Sequence, residues 1–142
     1  TYAANPIGTR AGYEVMSIFD EERKELESEI ARKGAKFLDG LKALEKKYKN
    51  IGTVNGLGFA LSVEVTESDR FTPARELCDE IIEAGLKGDL TYKGKKCGLI
   101  LNNGGYFKNI ITLVPQLYIS DEEIDMALEL MDQLFDRYME KA

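Results

Sequence analysis

Histidine is missing altogether from this chain of 142 residues, which removes a His-based catalytic triad and histidine-ligated zinc from consideration. Cysteine is scarce. Cys78 and Cys97 form neither a disulfide framework nor a metal-spaced set, so no metal site is expected. Neither thiol has a histidine to activate it, which disfavours a cysteine nucleophile. A surplus of positive charge is also lacking: 19 Lys and Arg face 25 Asp and Glu, for a net charge of -6. Such a surface is not built to neutralise phosphates, so nucleic acid and anionic membrane are poor partners. No apolar run approaches the roughly 18 residues of a membrane span, and no charged-then-apolar leader precedes a cleavage site. The cytoplasm is the expected compartment. There is no initiator Met either, and Thr1-Tyr2-Ala3-Ala4-Asn5-Pro6 reads as the middle of a larger protein.

What remains is an ordinary soluble composition, 44% hydrophobic and 31% charged, long enough for a single domain with one core. The stretch Ile51 to Val65 is the longest strand-like run. From Gly58 it is apolar with little alternation, the pattern of a central strand covered on at least one face. Gly52, Gly56 and Gly58 at its start suggest a tight entry turn, a bulge or a close backbone approach.

Around this run the spacing predicts helices. Asn5-Pro6 is a helix start for residues 5 to 19. Residues 22 to 48 carry Leu26, Ile30, Gly34, Phe37, Leu41, Leu44 and Tyr48 on one stripe, which predicts a long amphipathic helix with Gly34 permitting close approach. Strands are expected at Thr53 to Asn55 and Phe59 to Val65. Thr72-Pro73 reads as N-cap and first residue of a helix that Gly85 stops. Lys87 to Lys96 is a loop or a small exposed hairpin. Gly98 to Leu101 and Ile110 to Val114 are read as strands joined by a glycine-rich turn, with Pro115 ending the second. Ser120-Asp121-Glu122-Glu123 is a capping box opening a last helix. The expected fold is α+β: a small, largely antiparallel sheet covered by helices mainly on one face.

No motif carries chemistry unaided. Gly56-Leu57-Gly58 and Asn103-Gly104-Gly105 lack the spacing of a dinucleotide or phosphate loop, so turn-making is the favoured reading. Asp20-Glu21-Glu22 is better suited to favouring a helix start than to acid/base work. Asp89 and Glu64 are lone carboxylates without an identifiable partner.

The order of the pieces, however, resembles the C-terminal portion of class III aminotransferases, pyridoxal-phosphate (PLP) enzymes of the aspartate-aminotransferase fold type. Five segments carry the resemblance: Thr1 to Pro6, the long helix, Ile51 to Glu64, Gly98 to Leu101, and Ile110 to Leu117 with Ser120 to Glu123. Gly56 to Glu64 matches a G-x-G-(L/F)-x-x-x-(I/V)-E strand of the small domain, which makes the glycines scaffold. The resemblance implies a linker and interdomain helix over residues 1–20 and the small domain over 21–142. It also implies a large domain upstream of Thr1 with the cofactor-stacking aromatic, the Asp paired to the pyridine nitrogen and the Schiff-base lysine.

On that basis no catalytic residue lies in this chain, and alone it is not competent to move an amino group between an amine or amino acid and a 2-oxo acid. Thr1 matches the threonine that binds the cofactor phosphate of the partner subunit, which implies a homodimer. Thr112 stands where many members place an Arg that clamps a substrate carboxylate, and Gln116 where they place a second Pro. A hydroxyl does not replace a bidentate, charge-assisted contact. Either the substrate lacks that carboxylate or another residue binds it. A PLP-dependent mutase or decarboxylase on the same fold is an alternative, and so is a non-catalytic interaction module that uses the 102–109 turn as its contact loop.

Overall fold

The computed structural model describes residues 5–142, and its first element follows from the first two of them. The Asn5 side chain accepts hydrogen bonds from the backbone N–H of Ile7 and Gly8, and Pro6 occupies the first turn of helix α1 (Pro6–Glu21). Proline fits there because its missing N–H has no intrahelical partner to lose. Thr1 lies outside the described residues. Helix α2 (Arg23–Lys47) follows after a break at Glu22 and buries the predicted stripe: Leu26, Gly34, Phe37, Leu41 and Leu44, with Tyr48 at its C-terminal cap.

Gly34 does what its place on the stripe suggests. A Cβ there would fall 2.4 Å from the carbonyl oxygen of Gly58, so the helix lies directly on the turn of the first hairpin. That hairpin pairs β1 (Ile51–Leu57) with β2 (Ala60–Val65). It turns at Gly58-Phe59, with Gly58 in the left-handed region at φ 56°, where a side chain is strained. Phe59 is therefore in the turn rather than the strand, although its ring is buried. The strand shows a clearer alternation than its composition suggests: Leu61, Val63 and Val65 are buried, whereas Ser62 and Glu64 are only half-buried. One face is covered and the other is open.

Helix α3 (Arg75–Leu86) begins two residues later than Thr72-Pro73 predicts. Asp69 captures the backbone N–H of Phe71 and Thr72 and the Thr72 hydroxyl, forming a local turn that competes with helix capping. Pro73 instead bridges to Thr66, and Ala74 is the N-cap without a side-chain bond. Gly85 does not stop the helix either. It lies inside it, and an added Cβ would meet the Leu99 carbonyl oxygen at 2.3 Å.

The polar segment after α3 is the hairpin β3 (Leu90–Tyr92) and β4 (Lys95–Cys97). Its turn residues Lys93 and Gly94 both have positive φ, the conformation that matches the twist of a two-residue hairpin. Gly98 to Leu101 is not a strand. The Leu99 N–H donates to the Gly85 carbonyl, so this segment is bonded to a helix end rather than to a ladder. The strand forms one step later as β5 (Asn102–Gly104), which pairs with β6 (Ile110–Leu113). All pairings are antiparallel, in the order β1-β2-β6-β5.

Helix α4 (Asp121–Tyr138) opens on a complete capping box. The Glu123 N–H donates to the Ser120 hydroxyl at 3.2 Å, and the Ser120 N–H donates to the Glu123 carboxylate at 2.7 Å. Ile124, Met131, Leu134 and Phe135 are buried and join Phe37, Leu41, Ile81, Val63 and Ile111 in one core. Helices α2, α3 and α4 thus cover one face of the sheet, as the α+β reading expects. Helices α2 and α4 are also latched through Asp132, which accepts from the buried Tyr48 hydroxyl and from Lys47, both at 2.6 Å. Burial, with Asp132 beside it, pushes the Tyr48 phenol up to about 12.

Helix α1 differs from the rest. It buries no residue, and Ile7 and Met16 are 82% and 67% exposed. Only its C-terminal end, with Val15, Ile18 and Phe19, shares an apolar cleft of about 210 Å³ with Leu26, Leu117 and Tyr118.

Candidate functional site

The open face of the sheet is where the strand register gathers polar side chains. Asn55 on β1 pairs with Ser62 on β2, Ser62 with Thr112 on β6, and Thr112 with Asn102 on β5. Directly opposed residues in an antiparallel sheet present their side chains on one face. The four therefore form a transverse row of amide, hydroxyl, hydroxyl and amide. Asn55, Thr112 and Asn102 are exposed and Ser62 is half-buried.

Gly104 keeps the space beside Thr112 clear, since a Cβ on it would stand 3.2 Å from the Thr112 hydroxyl oxygen. The next row contains Glu64, Ile110 and Gly104. Glu64 accepts from the Thr53 hydroxyl at 3.1 Å and is the one charged strand residue that the register places on this face. Thr53 is thus the partner that its position in the sequence does not reveal.

Strands β5 and β6 part beyond the Asn102–Thr112 pair. Between them a cleft of about 280 Å³ runs down to Phe37, Ile119, Ala127 and Met131, with Leu99 to Asn102 on one wall and Thr112 to Pro115 on the other. Every lining residue is uncharged. Thr112 thus stands at the junction of a polar row and an apolar cleft. Asn102, Ser62 and Asn55 are not singled out by the sequence. Alternation in β2 contains the signal for Ser62, whereas Asn102 sits in a stretch of turn composition.

The remaining candidates are placed as scaffold. Cys78 is fully buried on α3, and burial pushes its thiol up to about 11, so it is protonated near neutrality and a poor nucleophile. Asp20-Glu21-Glu22 lies at the break between α1 and α2, where Glu22 accepts from the Tyr118 hydroxyl at 2.8 Å. Asp89 has a partner after all, the Arg137 guanidinium at 2.8 Å, which holds its carboxyl below the usual range. Among the described residues no helix is long and apolar enough to cross a membrane.

This architecture has relatives. Residues 1–135 match the family described as Aminotransferase class-III. The chain belongs to that family. It is similar to the 4-aminobutyrate aminotransferase GabT of Escherichia coli (strain K12), with 34% identity over 137 residues covering 96% of this chain and 30% of the relative. A transaminase from the marine bacterium Virgibacillus superposes with a TM-score of 0.73 at 25% identity, over 97% of this chain and 30% of that one. An amine transaminase from an uncultivated Pseudomonas species, solved in its PLP-bound form, superposes with a TM-score of 0.65 over 82% of this chain and 24% of that one. At 20% identity that likeness shows the fold alone. The class-III chain described here spans about 30% of the length of the curated relatives it matches.

Proposed function

We propose that this chain is the small C-terminal domain of a PLP-dependent aminotransferase that moves an amino group between an amine or amino acid and a 2-oxo acid. The observation that carries the reading is the family match over residues 1–135. In this reading residues 1–20 are the linker and interdomain helix, residues 21–142 are the domain proper, and a large cofactor-binding domain lies upstream. The exposed apolar side chains of α1 support that division, because a contiguous apolar surface of this kind is normally covered by a partner surface.

The open face does not itself fit PLP. Its phosphate calls for cations or converging N–H donors, and the one charged strand residue on the open face is the Glu64 carboxylate. The cofactor is held elsewhere in the polypeptide, with Thr1 contributing its hydroxyl and backbone to the phosphate of the partner subunit in a cytoplasmic homodimer. Thr112 is the residue of this chain that faces the substrate side, on the open face.

The test uses the full-length polypeptide purified with PLP, supplied with an amine donor and pyruvate or 2-oxoglutarate. Formation of alanine or glutamate is expected. Bound cofactor with no amino transfer from any donor would replace this reading with another PLP reaction, and failure to bind the cofactor would reject it.

A further inference from the structure

The ladder between β5 and β6 stops while both chains run on, and the gap it leaves is built into the fold. Continued by two residues along each strand, the register would pair Ile100 with Val114. Neither residue takes part in a backbone hydrogen bond among the described residues. The separation is held from both sides. The Leu99 N–H donates to the Gly85 carbonyl at 2.9 Å, which draws one lip toward α3, while Thr112 and Leu113 stay paired with Ser62 and Leu61 on β2. Two lips of unpaired backbone therefore flank the cleft, and their apolar side chains are open to solvent: Ile100 is 85% and Val114 72% exposed.

We propose that an extended, apolar segment of the polypeptide upstream of Thr1 lies in this slot as an added strand, bonded to the backbone of both lips. Unpaired backbone beside exposed apolar side chains is a template for strand addition, and folded proteins normally cover such an edge. Peptide groups satisfy both lips at once. The floor of Phe37, Ile119, Ala127 and Met131 takes the inward side chains, which are every second residue of a strand. No lining residue is charged, so a charge on the segment would be buried without a partner. At about 280 Å³ the cleft falls below the roughly 300 Å³ at which small-molecule pockets begin, a size that suits side chains better than a separate ligand.

Chain length and the course of the surface name the occupant. The chain spans about 30% of the length of its curated relatives, so more than twice as much polypeptide lies outside it as within. The wall formed by Thr112 to Pro115 runs on as Gln116 to Tyr118 into the apolar cleft where Val15, Ile18 and Phe19 of α1 rest. A body that covers α1 thus reaches the slot along one continuous apolar surface. A second copy fits less well. The exposed aromatic turn Tyr106-Phe107 precedes β6, at the other end of that strand from Val114, and its insertion into a neighbour is a head-to-tail contact that builds filaments unless the rotation closes. The inference rests on the upstream domain of the proposed function and not on its reaction.

The test uses the full-length polypeptide, assembled from mixed isotopically heavy and light chains, with a photo-cross-linking side chain in place of Ile100. Cross-links to a peptide upstream of Thr1, joining like-labelled chains only, are expected. In the unmodified protein the Ile100, Leu101 and Val114 amides should exchange at least about a hundredfold more slowly than open backbone, the mark of a bonded strand. Val114→Asp should speed exchange at Ile100 and Leu101 about tenfold or more, and by more than Val114→Ala, which brings no charge. Cross-links between heavy and light chains would give the slot to a second copy, and protection that appears only after an amine donor is added would give it to a small molecule. Either result overturns the proposal, as does free exchange at the lips or a cross-link confined to residues 1–142. Lack of amino transfer in the same preparation rejects the aminotransferase reading and leaves the occupied slot as it stands. Exchange and cross-linking are read without Val114→Asp, so misfolding of that variant leaves the test decisive.

Discussion

Adding one methyl group to Gly85 and to Gly12 is expected to have opposite effects. At Gly85 the new Cβ meets the Leu99 carbonyl oxygen at 2.3 Å and must move backbone, so Gly85→Ala should cost about 1–3 kcal/mol. At Gly12, within α1, nothing lies within 4 Å, and Gly12→Ala should stabilise by about 0.5–1 kcal/mol through backbone entropy. The urea midpoint checks the first sign and the amide exchange of α1 the second, since that helix buries no residue and opens locally; a neutral Gly85→Ala would show that the Leu99 segment yields. Glycines also mark the limit of what a sequence discloses. Gly34 is legible because it interrupts an otherwise apolar stripe. Gly85 is not, because a glycine that ends a helix and one that admits a neighbour occur at the same place and differ only in what packs against them. Thr112 is marked out by family resemblance alone, since no local pattern distinguishes it from any other strand threonine.

Among the elements, α4 is the most predictable, because its capping box and its apolar stripe depend on residues three or four apart, whereas its attachment to α2 through Asp132 and Asp121 joins residues more than 80 apart. Ser120→Ala should lower stability by about 1 kcal/mol by removing one half of the capping box, measurable as a shift in Tm. The α2–α4 contact also makes an acid-sensitive clamp. The Arg32 guanidinium, 2.8 Å from Asp121, is the first cause of an Asp121 carboxyl lowered from 3.8 to about 2, and Arg32 likewise lowers Glu29 to about 2. A folded pKa below the unfolded one gives a contribution that is present above about pH 4 and is lost as pH falls toward 2. Thermal stability should therefore drop across that window, and Asp121→Asn should flatten the drop. A slope unaltered by the substitution would show that this pair is screened by solvent. Helix α3 is expected two residues too early because Thr72-Pro73 has the composition of a helix start, and nothing in the spacing shows that Asp69 already holds Thr72. Strand β5 is displaced for a related reason: Asn102-Asn103-Gly104 has turn composition, and its partner Ile110–Thr112 is fixed by pairing across the sheet rather than by neighbours in the chain.

For the molecule as a whole, the α+β layer follows from the alternation of helical and strand-like runs, whereas the order β1-β2-β6-β5 requires non-local pairing that periodicity does not contain. The transverse row on the open face exists only through that order, which is why its members cannot be joined along the chain even where alternation marks one of them, Ser62, as outward-facing. Helix α1 gives the prediction proper to this scale. With no buried residue of its own, it should exchange its amide hydrogens rapidly in the 142-residue chain and slowly in the full-length polypeptide, where the proposed large domain covers it. Equal exchange in both would remove the case for an interdomain helix.

The backbone contact between Gly85 and Leu99 also turns the β3–β4 hairpin into a handle. Gly98 returns to within van der Waals reach of Gly88, 3.4 Å from a Cβ built on Gly98, so the excursion leaves and re-enters the domain at one point. Leu90 anchors its root in the core, while Lys93 and Gly94 at the tip are exposed. Extra length at the tip extends a loop whose ends are already fastened together, and closure entropy grows by only about 0.6 kcal/mol per doubling of a loop. A purification epitope or a fluorophore can thus be inserted between Lys93 and Gly94, giving a reporter on this domain that leaves the open face untouched.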